Sequence, residues 1–259
     1  MNIVVCAKVI PAGSVTIEID PNTKCMARKG VAHELDPAAA SALEEGLRIV
    51  EKHGGEVKVV TMGIGDVTTG IRNALAMGAN SAVHILDDAL AGSDTLATAK
   101  ALAAAIRKDS FDLVLCAAES SDSYSGIVPG QLACLLGIVP LTFAKEITVE
   151  GKRITIKRQS ESGYDVVEAE LPALVAVASG INEPRYPQLK GIMAAKKKEI
   201  KQCKVGDLGL KPEEVGSAGA REKVLSIGRP PARQAGKIVT DAGDGGKQIA
   251  DFLIELKAI

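Results

Sequence analysis

The sequence predicts an α/β protein of Rossmann-like design: a mostly parallel sheet with helices on both faces, added antiparallel strands and an extended C-terminal arm. Three observations carry that reading. Short β-branched runs alternate with amphipathic helical stretches through the first half, which calls for a parallel sheet covered on both sides. From about Glu146 the strand-like runs follow one another across short polar turns, as antiparallel additions do. Beyond residue 205, Gly206, Pro212, Pro230-Pro231, Gly243 and Gly245-Gly246 interrupt the chain before one helical pattern from about Lys247 to Lys257.

Taken in order, residues 2–7 form a short β-rich run. A stretch from Val15 to Gly30 alternates around Pro21-Asn22 as a hairpin would. Asp36 as N-cap and Pro37 at the first helical position open a helix that Gly54-Gly55 stops, with Leu43, Leu47 and Val50 as its buried stripe. Val57 to Thr61 is a strand, and a helix capped by Asp66 ends at Gly78. A strand over 81–86, an alanine-rich helix from Ser93 to about Lys108, a strand over 112–117 and a helix through Leu132, Leu135 and Leu136 to Gly137 complete the alternation. A β-ribbon is expected over about 146–178, from Ile147–Val149, Ile154–Ile156, Val166-Val167 and Leu174–Val177. The implied organisation is an α/β domain over 1–204, with an irregular loop at 182–198, and an arm over 205–259 that packs on something else.

Composition narrows the function classes. A hydrophobic fraction of 46% against 24% charged residues describes a chain with enough apolar content to fold, not a disordered one. Net charge -1 and a pI near 6.3 give no bulk attraction to nucleic acid or anionic membrane. With no Trp, three Tyr and three Phe, stacking platforms for single-stranded bases are scarce. The start at Asn2-Ile3-Val4-Val5-Cys6 shows no basic n-region or signal-peptide core, and no apolar run approaches a membrane span. Cys6, Cys25, Cys116, Cys134 and Cys203 are scattered without metal-ligand spacing, as reduced cytoplasmic thiols are.

Candidate chemistry concentrates in loops at the carboxyl ends of the predicted parallel strands. These are the segment after Cys6-Ala7, Met62-Gly63-Ile64-Gly65, and Ser120-Ser121-Asp122-Ser123-Tyr124-Ser125-Gly126 leading into a helix. The last is small and polar and presents unpaired N–H groups to a phosphate, although Ser, Asp and Gly also make ordinary turns. Gly63-Ile64-Gly65 lacks the third glycine of a dinucleotide fingerprint. His33, His53 and His84 are isolated, Glu44-Glu45 faces away from its helix's apolar stripe, and no catalytic constellation emerges. The stretch from Asn182 to Lys198 sets Leu189, Ile192 and Met193 beside Lys196-Lys197-Lys198. It reads either as a solvated basic helix end or as an apolar anchor rimmed by steering charge.

Asn182-Glu183-Pro184-Arg185-Tyr186, followed by Lys190-Gly191-Ile192-Met193 and Lys196-Lys197-Lys198, resembles the signature of electron-transfer flavoprotein β subunits. Ala74 to Ala79, Asp94 to Ala99, Leu43-Glu44-Glu45, Pro230-Pro231 through Gly236 and Asp244-Gly245-Gly246 extend the resemblance in order over almost the whole chain. It implies a non-enzymatic carrier subunit in a heterodimer whose α subunit carries the redox-active FAD, with AMP held structurally in this chain. Flavin dehydrogenases, such as the acyl-CoA dehydrogenases of fatty acid oxidation, would deliver electrons, and a quinone oxidoreductase would remove them. Carried over by position, the nucleotide lies near Cys6, Ala7, Asp36, Met62, Gly63, Asp122, Ser123 and Ser125, with the N–H groups of Gly126, Ile127 and Val128 at the phosphate. Leu189, Ile192, Met193, Lys196 and Lys197 form the dehydrogenase dock.

This chain departs from the family in two places. Asp36 stands where Asn is usual, and Asp122 to Ile127 replaces Asp-Gly-Asp-Thr-Gly-Gln, with Pro129 removing a further N–H donor. Three alternatives accompany the reading. A second FAD in place of AMP would make the protein a bifurcating member. A stand-alone adenine-nucleotide-binding enzyme would need a phosphate-gripping glycine loop where Lys8-Val9-Ile10-Pro11 stands. A ligand-free interaction protein would carry no nucleotide.

Overall fold

The computed structural model describes all residues except 17, 29, 66, 229, 230, 233–235 and 237. Its strands are β1 (Asn2–Cys6), β2 (Val9–Pro11), β3 (His33–Leu35), β4 (Glu56–Met62), β5 (Ser81–Ile85), β6 (Leu113–Ala117), β7 (Val139–Glu150), β8 (Arg153–Ser160), β9 (Gly163–Glu170), β10 (Ala173–Val177) and β11 (Ile200–Cys203). Its α-helices are α1 (Pro37–His53), α2 (Thr68–Met77), α3 (Thr95–Ile106), α4 (Val128–Leu136), α5 (Leu189–Ala195), α6 (Gly216–Gly219) and α7 (Gly245–Glu255). Met1–Val224 form one compact unit and Leu225–Ile259 a second.

Among the described residues, the first unit is built on a nine-stranded sheet of order β11-β5-β4-β1-β6-β10-β7-β8-β9. Pairing is parallel from β11 through β7 and antiparallel across β7, β8 and β9. Alternation sorts the side chains of β1: Ile3 and Val5 enter one core with Leu43, Leu47 and Leu75, while Val4 enters the other with Leu102, Ile106 and Leu132. Helices α1 and α2 therefore cover one face, and α3 and α4 the other.

The predicted α/β architecture is what forms. Asp36 caps α1 through Ala38 N–H at 3.0 Å, with Pro37 at the first position, and Gly137 ends α4 in the left-handed region at φ 72°. Asp94, not Ser93, caps α3, accepting from Ala97 N–H. The expected cap Asp66 lies outside the described residues, and Val67 precedes α2 without a side-chain cap bond.

The larger corrections concern the second half. Leu174–Val177 is not part of the ribbon: β10 lies parallel between β6 and β7, buried on both faces, so a continuous apolar run suits it. The ribbon is instead β7 to β9. Strand β7 begins parallel to β10 and continues antiparallel to β8, with an irregular register between them around Leu141–Ala144. Phe143 sits at that irregularity with φ 58° and turns its ring half out to solvent. Within 15–30 the expected hairpin forms in short form: an antiparallel bridge joins Ile19 to Met26, flanked by Asp20 N–H to Cys25 O at 2.9 Å and Ala27 N–H to Glu18 O at 2.8 Å, while β2 and β3 close the excursion outside it. Residues 205–224, expected to start the arm, belong to the first unit. Val205, Leu208 and Val215 are buried in the α3–α4 core, and Ser217 N–H donates to Ala91 O at 2.8 Å. In the second unit, Ile249, Phe252 and Ile254 of α7 and Leu256 just after it are exposed.

Candidate functional site

Strand order reverses at β1: the chain steps from β1 to β4 and β5, then returns to place β6 on the other side. Diverging loops at such a point leave a crevice beyond the strands' carboxyl ends. A cavity of about 480 Å3 fills it, lined by Cys6, Ala7 and Lys8 after β1, Met62, Gly63 and Ile64 after β4, and Ala118, Glu119 and Ser120 after β6. That volume suits a nucleoside-sized ligand, given pockets of roughly 300–1,000 Å3 for small molecules.

The loop after β6 is tied down at two acids. Asp36, buried at the head of α1, accepts from Ser121 N–H at 3.0 Å and from Ser121 Oγ at 2.6 Å, in addition to its helix cap. A carboxylate serves here because every partner is a donor. Asp122 points inward, with a side chain 2% exposed, and meets Lys8 Nζ at 2.6 Å and Arg28 Nη2 at 2.5 Å. Burial pushes its carboxyl up, but the hydrogen bonds and charges of Lys8 and Arg28 prevail and hold it down at about 2. Lys8 Nζ also reaches Ser120 Oγ at 3.2 Å and Ser123 Oγ at 3.3 Å. On the opposite wall, His84 Nε2–H donates to Gly63 O at 3.1 Å and fixes the loop after β4.

Of the residues expected at the nucleotide, Cys6, Ala7, Asp36, Met62, Gly63, Ser123, Ser125, Gly126 and Val128 line this cavity. Asp122 stands behind the wall, and Ile127 faces solvent. The start of α4 is a weak anion seat: Pro129 offers no N–H, and Glu119 Oε2 lies 3.9 Å from where a Gly126 side chain would begin. Lys8 and Arg28, the cations of the cavity's polar wall, are absent from that set. Lys8 was detectable, directly after β1 at the reversal point; Arg28 arrives from the 15–30 excursion, whose alternation does not say where it folds.

A second feature lies in the segment over 182–198. Arg185 clamps it to α1: its Nε donates to Glu44 Oε2 at 2.7 Å, its Nη2 to Glu44 Oε1 and Glu51 Oε2 at 3.1 Å each, and its Nη1 to Glu51. Asn182 Nδ2 adds bonds to Ser41 O at 2.9 Å and Glu45 Oε1 at 2.8 Å. Burial raises the carboxyl of Glu44, but its bonds from Arg185 and Arg48 bring it below the usual range; Glu51 and Glu44 in turn raise Arg185. Glu44 and Glu45 are thus buried anchors, where the helical stripe had placed them on an idle face.

Beyond the clamp, α5 lies against α2. Arg72 Nη1 donates to Ala195 O at 2.5 Å and Lys198 O at 2.7 Å, and Lys198 Nζ donates to Ala79 O at 2.6 Å and Leu75 O at 3.0 Å. Lys198 therefore closes the end of α2 instead of joining a steering patch, and desolvation lowers its pKa. Leu189 is 77% exposed at the first turn of α5, Ile192 and Met193 are exposed beside it, and Lys196 and Lys197 are solvated. Among the described residues, no helix is long and apolar enough to cross a membrane, and no cluster of metal-ligating side chains forms.

Comparison with known proteins agrees with this layout along its length. The family model of the electron transfer flavoprotein domain matches residues 23–208. The electron transfer flavoprotein subunit beta of Mycobacterium leprae is 42% identical over 264 positions, covering 100% of this chain and 99% of that one. Its counterpart from Thermoanaerobacterium thermosaccharolyticum is 40% identical over 93% of this chain and 92% of its own. The caffeyl-CoA reductase-Etf complex subunit CarD of Acetobacterium woodii is 38% identical over 98% and 97%. With full-length identity to named β subunits and the family's motifs folded into one crevice and one clamped loop, the chain belongs to the electron transfer flavoprotein family, as a β subunit.

Proposed function

We propose that this β subunit holds an adenine nucleotide, AMP, as a structural ligand, supports an α subunit that carries the redox-active FAD, and docks flavin dehydrogenases. Electrons then pass from an acyl-CoA or related dehydrogenase to that FAD and on to a quinone oxidoreductase. On this reading the chain is a carrier subunit, not an enzyme by itself. The observation that carries the docking role is Leu189: a large apolar side chain left 77% exposed on a helix fastened to the body by Arg72 and Lys198. An exposed anchor on a rigid base loses little entropy on binding, which is how a few residues come to dominate an interface. Lys196 and Lys197 on the rim supply charge to steer an acidic partner.

The nucleotide role is supported by the position and size of the crevice cavity. A specific observation also favours a second reading, FAD in place of AMP. A neighbouring cavity of about 1330 Å3, lined by Tyr124, Phe143 and Tyr186, shares Ala118, Glu119 and Ser120 with the first, so a longer ligand has room to continue past the shared wall.

The test is to denature the heterodimer purified with its α subunit and quantify the released nucleotides by chromatography. One AMP and one FAD per heterodimer is the expected result. Two FAD and no AMP would establish the second reading, and release of a single FAD alone would remove the nucleotide role from this chain. For docking, Leu189→Ala should cut electron acceptance from the dehydrogenase at unchanged flavin content, since losing such an anchor costs about 2 kcal/mol or more. An unchanged transfer rate would refute it.

A further inference from the structure

The pairing of Asp122 with both Lys8 and Arg28 is the least expected feature of the cavity wall. Two cations converge on one carboxylate, Lys8 at 2.6 Å and Arg28 at 2.5 Å, so this cluster retains one positive charge that Asp122 does not balance. Both cations line the cavity and are partly exposed, 36% for Lys8 and 25% for Arg28, whereas Asp122 is 2% exposed and approaches them from the protein side. Ser120 and Ser123, whose hydroxyls touch each other at 2.7 Å and Lys8 Nζ at 3.2 and 3.3 Å, complete a polar seat. The other carboxylates of the cavity are placed elsewhere. Asp36 and Asp94 are engaged by backbone donors, Glu222 lines the cavity beside Asp94, to which its N–H donates, and Glu119 lies beside Gly126 at the start of α4, where its charge opposes an anion.

We propose that Lys8 and Arg28 form the phosphate seat of the cavity, and that Asp122 is an internal counter-ion which holds the two cations in place and competes with the ligand's phosphate for them. The proposal rests on the reading of the cavity as a nucleotide site and moves the phosphate from the N–H groups of Gly126 to Val128 to the cations gathered by the earlier part of the same loop. A phosphate group carries about -1.5 to -2 charges at neutral pH and three acceptor oxygens, which matches two cations and two hydroxyls better than one carboxylate does. Asp122 keeps the empty seat from presenting two adjacent unpaired cations, at the cost of weakening every anion that binds there. Asp122 keeps the first Asp of the family's loop pattern, whereas Ser123, which completes the seat, stands where that pattern has Gly.

The experiment is calorimetric titration of the full-length chain, stripped of nucleotide, with AMP, FAD and adenosine, for the wild type, Arg28→Gln and Asp122→Asn. Arg28→Gln should weaken AMP about tenfold, the scale of one lost charge-assisted contact, and Asp122→Asn should tighten it by a similar factor. Adenosine, which has no phosphate, should bind all three forms alike. The salt dependence of AMP binding should flatten in Arg28→Gln and steepen in Asp122→Asn. Opposite signs separate a phosphate seat from a merely structural ion pair, whose loss would weaken binding in both variants. Loss in both variants would therefore overturn the counter-ion role, with circular dichroism melts confirming that both fold. AMP affinity unaltered in both, with the wild type still preferring AMP to adenosine, would leave the nucleotide site standing and refute the seat. Wild-type binding of none of the three ligands would overturn the nucleotide reading and the seat together. Tighter binding of FAD than of AMP, with the same order among variants, would support the seat with a diphosphate as its anion.

Discussion

Asp122 and Glu44 show how much of this protein rests on buried carboxylates with cationic partners. The carboxyl of Asp122 lies at about 2 in the folded protein against 3.8 when unperturbed. Because the folded value is depressed, its contribution is complete above the unfolded value and is lost as pH falls from about 4 through about 2. That difference corresponds to a contribution on the order of 2 kcal/mol at neutral pH. Glu44, Glu51, Asp94 and Asp109 shift the same way, so acid destabilises the whole molecule, and the Asp122 share is read by difference. Urea unfolding followed between pH 6 and 2 should show wild type and Asp122→Asn converging as pH drops; parallel curves would deny Asp122 this role. For Glu44, removing the carboxylate leaves Arg185 with only Glu51 beside it. Glu44→Ala should cost about 2 kcal/mol, below the range for fully buried pairs because Arg185 is partly exposed. Hydrogen exchange over 182–188 should accelerate in that variant more than over α2, and uniform exchange would refute the clamp. None of these pairings is written in the sequence as spacing: Lys8 to Asp122 and Glu44 to Arg185 each span more than a hundred residues. The apolar wall of the site was legible because it follows strand ends; of its charged wall only Lys8, next to β1, was within reach, because the rest depends on which distant loop arrives.

Between elements, α5 is set on α2 by a close approach that only glycine permits. A Cβ on Gly191 would fall 2.4 Å from Ala76 O, a backbone atom that cannot swing away. Gly191→Ala should therefore lift the first turn of α5, with Leu189 on it, at a cost of about 1–3 kcal/mol. Stopped-flow measurement with a reduced dehydrogenase should show weakened complex formation with Leu189 still present, whereas unchanged kinetics would mean that the height of α5 above α2 is irrelevant to docking. The elements themselves show a similar division of legibility. Helix α1 could be read from Asp36-Pro37 and its stripe, since caps and periodicity are local signals. Strand β10 could not be placed, although Leu174–Val177 has the unbroken apolar content of a strand buried on both faces. Its position between β6 and β7 is decided by a return across the sheet from the edge strand β9, and chain order next to antiparallel runs pointed the other way. The irregularity at Phe143 is equally silent: φ 58° is expected of glycine or asparagine, not of a phenylalanine.

At the scale of the whole chain, the boundary of the main unit matters for any truncation. The composition of residues 205–259, rich in Gly and Pro, suggested one continuous arm, yet Leu208 and Val215 fill the α3–α4 core and Asp94 binds the N–H groups of Arg221 and Glu222 at 2.6 and 3.2 Å. Gly and Pro at 206–216 shape tight turns on the core instead of marking a departure from it; Gly216, with φ 60°, would place a Cβ 2.0 Å from Ala89 O. The segment after Val224 forms its own unit, with α7 amphipathic and Ile249, Phe252, Ile254 and Leu256 exposed. An amphipathic helix with its apolar residues in water invites a partner surface, and the α subunit is the partner the proposed function supplies. The two truncations therefore separate two roles. A chain ending at Val224 should melt within a few degrees of the full-length protein, since the main core is untouched, yet fail to co-purify with the α subunit. A chain ending at Lys204 should be strongly destabilised, because it strips Leu208 and Val215 from the core at about 1.5–3 kcal/mol each. Thermal melts and co-purification of both forms decide the matter: if the Val224 truncation still assembles with the α subunit at full yield, the second unit is not the assembly element, and the main unit's own surface must hold the partner.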